Sequence, residues 1–191
     1  MTTVLLLMDF QVGIVERFGN DDLPTLRVAR SALDAARSAG VAIVFVRVAF
    51  REGAPEVSAR NVAFAHLAGS GMLTEQDVGT RVHPSLAPRP GEIVVTKRRV
   101  GAFTGSDLDV VLRALDADHL VLAGISTSGV VLSTLRHAAD EDFRLSVLAD
   151  ACADADVEGH RVLIEKVFPR QAHVLTVGEW IASLAGPSRT T

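Results

Sequence analysis

Three places in the chain could do chemistry on a small molecule: Asp9, Lys97, and the small-residue turn Gly124-Ile-Ser-Thr-Ser-Gly129 followed by Val130. Each follows an apolar run: Thr3-Val-Leu-Leu-Leu-Met8, Glu92-Ile-Val-Val-Thr96 and Leu120-Val-Leu-Ala123 respectively. A carboxyl group and an ammonium together can move a proton and hold the charge that the move creates. A turn of small residues between a strand and a helix presents backbone N–H groups and a helix N-terminus to negative charge. Each feature also has a plain structural use. A strand-end aspartate caps or turns, a strand-end lysine is a solvated charge, and serines satisfy a tight turn. What argues for a site is that all three fall at carboxyl ends of strands, the edge where open parallel sheets bind ligands.

The elements that must position these groups alternate along the chain. Thr3–Met8 reads as a first strand. Leu23–Ala39 has apolar residues at helical spacing (Leu26, Ala29, Leu33, Ala36) and stops at Gly40. Val41–Val48 is a β-branched second strand. From 49 to 90, Gly, Pro, Ser and Arg are frequent and only Val62–Leu67 has a helical pattern. So long a connection is either a functional lid or oligomer contact, or a surface excursion over the sheet. Glu92–Thr96 is the third strand, and Ser106 is a natural N-cap for a helix to about Leu115. His119–Ala123, Arg144–Ala149 and His173–Leu175 read as further strands. Val130–Ala139, Val157–Val167 and Glu179–Leu184 read as helices. Repeated βα units with solidly apolar strands predict one α/β domain over 1–191, with a central, mostly parallel sheet between two helical layers.

Bulk properties narrow the partners. The 191 residues are 48% hydrophobic and 22% charged, with a formal net charge of −4 and no basic stripe, so no nucleic-acid partner is expected. The run Val4–Met8 is too short to cross a bilayer, so no membrane role is expected. The lone cysteine, Cys152, has no partner for a disulfide and favours a cytoplasmic setting. The six histidines are dispersed, so neither a metal nor another cofactor is expected.

Three motifs, in order and spanning nearly the whole chain, resemble the isochorismatase-like cysteine hydrolase superfamily. Leu6-Leu-Met-Asp9-Phe-Gln11 is similar to its opening motif, and Lys97-Arg-Arg-Val-Gly-Ala-Phe103 to its central one. Gly124–Thr134 is similar to the turn that carries its nucleophile. The resemblance implies strand order 3-2-1-4-5-6 and a cis peptide between Ile125 and Ser126. It also implies a small-molecule substrate near Gln11, Phe103, Ser126, Thr127 and Gly129, and a homo-oligomer, dimer or tetramer. In that family aspartate, lysine and cysteine form a triad that hydrolyses small amides. Asp9 and Lys97 map onto the first two; Val130 occupies the position of the third. Nicotinamidases of the family add a zinc site after the second strand, but Val46-Arg-Val-Ala-Phe-Arg-Glu52 contains no histidine.

Valine can neither lose a proton nor attack a carbonyl. Ser126, Thr127, Ser128 and Ser133 lie near it, yet a serine or threonine nucleophile needs a positioned base. Cys152 follows the next strand and reads as a small core residue. Isochorismatases, in the same family, need no thiol: the aspartate protonates a vinyl ether, and glycine commonly replaces the cysteine. The chain departs from them too, because Val130 is bulkier than glycine and Val100-Gly101 stands where Tyr-Ser is frequent. Arg47, Arg51 and Arg60 are candidates for holding an anionic substrate. The reading is a thiol-independent hydrolase in which Asp9 is general acid/base and Lys97 its electrostatic partner. Its rivals are a catalytically silent binding protein and an amidase with a relocated nucleophile. The excursion's Val62, Phe64 and Leu67, with the family's oligomeric habit, predict self-association. Sedimentation at micromolar concentration should give a species of at least twice the chain mass, and a clean monomer would remove that expectation.

Overall fold

The computed structural model describes residues 2–19, 23–67 and 70–185. Six parallel strands lie in the order β3-β2-β1-β4-β5-β6: β1 (Thr2–Met8), β2 (Ala42–Val48), β3 (Ile93–Lys97), β4 (Ala117–Ile125), β5 (Arg144–Ala153) and β6 (His173–Leu175). The helices are α1 (Val12–Phe18), α2 (Pro24–Ala39), α3 (Leu108–Ala114), α4 (Leu132–Asp140), α5 (Val157–Val162) and α6 (Val177–Leu184). This is the expected three-layer α/β architecture with the expected strand order.

The period of two along each strand explains why the sheet is covered on both sides. Val4, Leu6 and Met8 of β1 join Val44, Val46, Leu120 and Leu122 on one face, against Leu108 and Leu112 of α3 and Leu135 and Ala138 of α4. Leu5 and Leu7 join Phe45, Val121 and Ala123 on the other, against Leu26, Ala29, Leu33 and Ala36 of α2 and Trp180 of α6. β1 and β4 are neighbours, and the chain leaves β1 for the face covered by α2 but leaves β4 for the face covered by α4. The crevice at the carboxyl end of β1 is therefore the topological switch point.

Several local readings need correction. The first strand is followed at once by α1, a helix of seven residues that the sequence reading did not include. Cys152 lies inside β5, which runs on to Ala153, rather than after it. α3 begins at Leu108, one residue later than a Ser106 cap would start it; the Ser106 hydroxyl nevertheless accepts from Leu108 N at 3.2 Å. A π-helical turn, Thr127–Val131, intervenes before α4. A second one, Leu163–Val167, continues α5.

Among its described residues the 49–90 excursion carries short 3₁₀ turns, at Ala65–Leu67, Val78–Thr80 and Pro84–Leu86, and two isolated bridges, Gln11 with Val82 and Phe50 with Thr74. Its apolar content closes on the sheet's edge: Phe50 and Ala54 are buried with Val48, and Phe64 packs edge-on against Phe50 at 5.4 Å. Val62 instead stands almost fully exposed, and the side chain of Leu67 lies outside the described residues. Gln11 ties the excursion down. Its Nε2 donates to Val48 O (2.9 Å) and Thr80 O (3.0 Å), while its Oε1 accepts from Val48 N (2.7 Å).

Gly124 of β4 is paired with Met8 of β1. A Cβ there would lie 2.7 Å from Met8 O and 3.0 Å from Met8 Cβ, both in the residue before Asp9. Gly124→Ala should therefore cost about 1–3 kcal/mol, as overpacking does, read as a lower urea midpoint. Wild-type stability in this variant would show that the strands can part without loss.

Candidate active site

Asp9 is the residue at which β1 stops. Its N–H donates to Val46 O (2.8 Å), and its φ of 59° puts the backbone in the left-handed region, which aspartate tolerates better than most residues. The chain thus turns into α1 and leaves the Asp9 side chain buried at the sheet edge. Lys97 ends β3 and is only 2% exposed. Its Nζ lies 2.9 Å from Asp9 Oδ2 and donates to Arg99 O and Val100 O, both at 3.0 Å. Three acceptors meet the three N–H donors of an ammonium, which is how a buried cation is tolerated.

Asp9 is less well served. Its Oδ1 is buried and has no hydrogen-bond partner. Burial pushes the Asp9 carboxyl above the usual carboxylate range, outweighing the charge and hydrogen bond of Lys97, which act the other way. The pair is thus asymmetric: the cation is saturated, while the acid retains one oxygen without a partner.

The loop after Lys97 is fixed against α4. Ala102 N donates to Thr134 Oγ1 (3.1 Å), and a Cβ on Gly101 would lie 3.2 Å from Ser133 Cβ. The turn after β4 opens with a cis peptide between Ile125 and Ser126. Ser126 Oγ accepts from Gly129 N (3.1 Å), and a Cβ on Gly129 would lie 2.5 Å from that oxygen, so a side chain there would have to displace the Ser126 hydroxyl. Ser128 donates through both N and Oγ to Asp154 Oδ2, each at 2.6 Å.

These edges enclose a cavity of about 410 Å³, a size suited to a small organic molecule. Asp9, Lys97, Val130, Ser126 and Gly129 all line it. The other three predicted contacts do not. Gln11 is fully buried, with its amide engaged by the backbone. Phe103 stacks on His137 at 4.4 Å within the core of one face. Thr127 is buried, with its hydroxyl 2.8 Å from His160 Nδ1. Nor do Arg47, Arg51 and Arg60 reach the cavity: Arg47 donates to Thr96 Oγ1, Arg51 pairs with Glu56, and Arg60 is exposed elsewhere.

The cavity instead draws Ile14, Arg17 and Phe18 from α1, and Phe64, Met72 and Leu73 from the excursion. α1 has a readable signal, apolar residues at Val12, Val15 and Phe18, but two turns are too short to stand out. The excursion's contribution has no periodicity to reveal it.

No hydroxyl near Val130 combines a place on the cavity with a base. Ser126 lines the cavity but caps the turn; Thr127, Ser128 and Ser133 do not line it. Cys152, paired with Gly124 in the sheet, is buried, and burial pushes its thiol up to about 12. Iodoacetamide at pH 8 should therefore leave native wild-type Cys152 essentially unlabelled. Val130→Cys, close to volume-conserving and costing under about 1.5 kcal/mol, should be labelled faster, because its thiol would sit near Lys97 at a helix N-terminus. Equal labelling of the two proteins would contradict this geometry.

The isochorismatase domain family matches residues 3–179. An uncharacterised isochorismatase family protein of Escherichia coli O157:H7 is 34% identical over 96% of both chains. A ureidoacrylate amidohydrolase of Stutzerimonas stutzeri (strain A1501) is 31% identical, over 95% of this chain and 79% of its own length. Among solved structures, an isochorismatase family protein from Burkholderia thailandensis superposes with a TM-score of 0.83 over 96% of each chain, at 26% identity. With the strand order, the switch-point crevice and the match over most of its length, the chain belongs to the isochorismatase family of hydrolases.

Proposed function

We propose that the protein hydrolyses an enol ether of a small molecule by acid catalysis from Asp9, with no covalent enzyme intermediate. The observation that carries this reading is the buried Asp9 Oδ1, which has no hydrogen-bond partner, in a carboxyl group whose pKa is raised and which shares a cavity with Val130. A carboxyl that is costly to ionise is a good proton donor, and an oxygen without a partner is free to deliver the proton.

Asp9 donates its proton to the terminal carbon of the enol-ether double bond, and the ether oxygen shares the positive charge left on the adjacent carbon. Water adds to that carbon and loses a proton to the Asp9 carboxylate. The hemiketal then collapses to a carbonyl compound and an alcohol. Lys97 holds Oδ2 in place and stabilises the carboxylate between proton delivery and return. Val130 supplies an apolar wall, and Ser126 and Gly129 bring the turn's backbone beside the substrate oxygens.

Acyl transfer has less support. The S. stutzeri relative is named for an amide substrate, but this chain has no thiol at position 130 and no described hydroxyl on the cavity with a base. The binding-protein reading is favoured by one observation, that every Lys97 donor is already used.

A turnover screen over vinyl ethers and small amides tests the proposal. Vinyl ethers should be hydrolysed and amides not, and Asp9→Asn should lower kcat by about 10²–10⁴-fold, the range for a general acid. Full activity in Asp9→Asn would refute acid catalysis. Binding without turnover of any vinyl ether would favour the binding protein.

The pH dependence follows from the direction of the Asp9 shift. Its folded pKa lies above its unfolded value, so the folded state binds the proton more tightly. Activity should be highest below the folded pKa and fall as pH rises through it. Asp9's contribution to stability runs the same way: fully present below the unfolded pKa and lost as pH rises through the folded one. In Asp9→Asn that contribution should vanish from the dependence of the urea midpoint on pH. An identical pH dependence in both proteins would count against the raised pKa.

A further inference from the structure

Resting on the proposed chemistry at Asp9, we propose that Arg17 determines specificity by binding the carboxylate of a substrate whose body is apolar. The two cations that line the cavity are Lys97 and Arg17, and they are in opposite states. Lys97 has no donor left: its three N–H bonds go to Asp9 Oδ2, Arg99 O and Val100 O. It cannot take a substrate anion without abandoning one of them. Arg17, in the last turn of α1, is exposed and has neither a hydrogen bond nor an ion pair among the described residues. A planar fork of five donors is therefore available where the cavity meets solvent.

Besides Asp9, the cavity is lined by one more acidic side chain among the described residues. Asp77 is committed to the excursion, with Oδ1 accepting from Gly79 N (2.8 Å) and Oδ2 from Leu73 N (3.2 Å). Much of the remaining lining is apolar, with Ile14, Phe18, Val48, Phe64, Met72 and Leu73 among it. A ligand that satisfies this lining carries a carboxylate at one end and a hydrocarbon or aryl body behind it. Its reactive carbon then points inward to Asp9. The same arrangement disfavours polyanions, because one free guanidinium serves one carboxylate bidentately and the rest of the surface would strip water from a second charge without replacing it.

Binding can be measured without turnover, by calorimetry on the full chain with benzoate and 3-phenylpropanoate against benzamide and 3-phenylpropanamide. The wild type should bind each carboxylate about tenfold or more tightly than its amide, equivalent to about 1.4 kcal/mol, and the preference should weaken with added salt. Arg17→Gln should remove the preference and leave amide binding unchanged, and Arg17→Lys should restore part of it. The residue is exposed, so these variants should keep the wild-type urea midpoint, which is checked alongside. Carboxylates that bind no better than amides, or do not bind, overturn the proposal, as does an undiminished preference in Arg17→Gln. The two readings fail separately. Loss of the preference in Arg17→Gln together with full turnover in Asp9→Asn would sink the acid mechanism alone. A lost Asp9→Asn activity with an unchanged KM in Arg17→Gln would sink the carboxylate site alone.

Discussion

Everything at this sheet edge depends on one buried contact, the Asp9 carboxyl against the Lys97 ammonium, 2.9 Å apart. Taking two charges out of water would cost several kcal/mol per ion, which is why burial favours the protonated form of Asp9 even beside a cation. The fold tolerates the ammonium by surrounding it with three acceptors, two of them carbonyls of the loop that begins at its own strand end. That loop is in turn held against α4 through Ala102 and Thr134. Breaking either half leaves the other buried and unmatched, a loss of about 3–5 kcal/mol in comparable cases. The fold therefore constrains the acid and its partner as a unit.

The sheet makes this possible because it is dry on both faces. Strand ends β1 and β3, separated by β2, can hold a carboxylate and an ammonium 2.9 Å apart only if the strands beneath them do not shift. The two core clusters, one per face, provide that rigidity. The close approach of Met8 to Gly124 then fixes the turn after β4 relative to Asp9. The cavity is completed by less regular parts, α1 and the excursion; Gln11 joins them to the sheet with two hydrogen bonds to Val48 of β2 and one to Thr80 of the excursion. Rigid strands thus position the chemistry, and irregular segments shape what can reach it.

This division also decides what the sequence discloses. Solid apolar runs identified the six strands, and with them Asp9, Lys97 and the turn, because a parallel sheet buried on both faces leaves no ambiguity of pattern. The strand order came from the family resemblance rather than from periodicity. Residues flanking the motifs were harder to place. Gln11, Phe103 and Thr127 stand next to site residues in sequence, yet Gln11 follows the chain away from the edge, Phe103 faces the core and Thr127 points toward α5. Arg17 and the excursion's Phe64, Met72 and Leu73 reach the cavity through tertiary packing, which no local spacing encodes.

Val130 gives the site its particular character. A thiol there could engage the Asp9 carboxylate as a proton donor; a methyl group cannot. Asp9 Oδ1 has no hydrogen-bond partner among the described residues, in surroundings that burial makes hostile to charge. The valine also adds to a set of apolar lining residues that includes Val48, Val100 and Ile125. Such an interior suits protonation of carbon better than attack on an amide: it raises the acid's pKa and offers no nucleophile. On the reading proposed above, recognition of charge moves to the rim, where the Arg17 guanidinium would meet a carboxylate away from Lys97. A buried acid matched to one reactive carbon and an exposed guanidinium fork matched to one anion would divide reaction from recognition along the length of one small molecule.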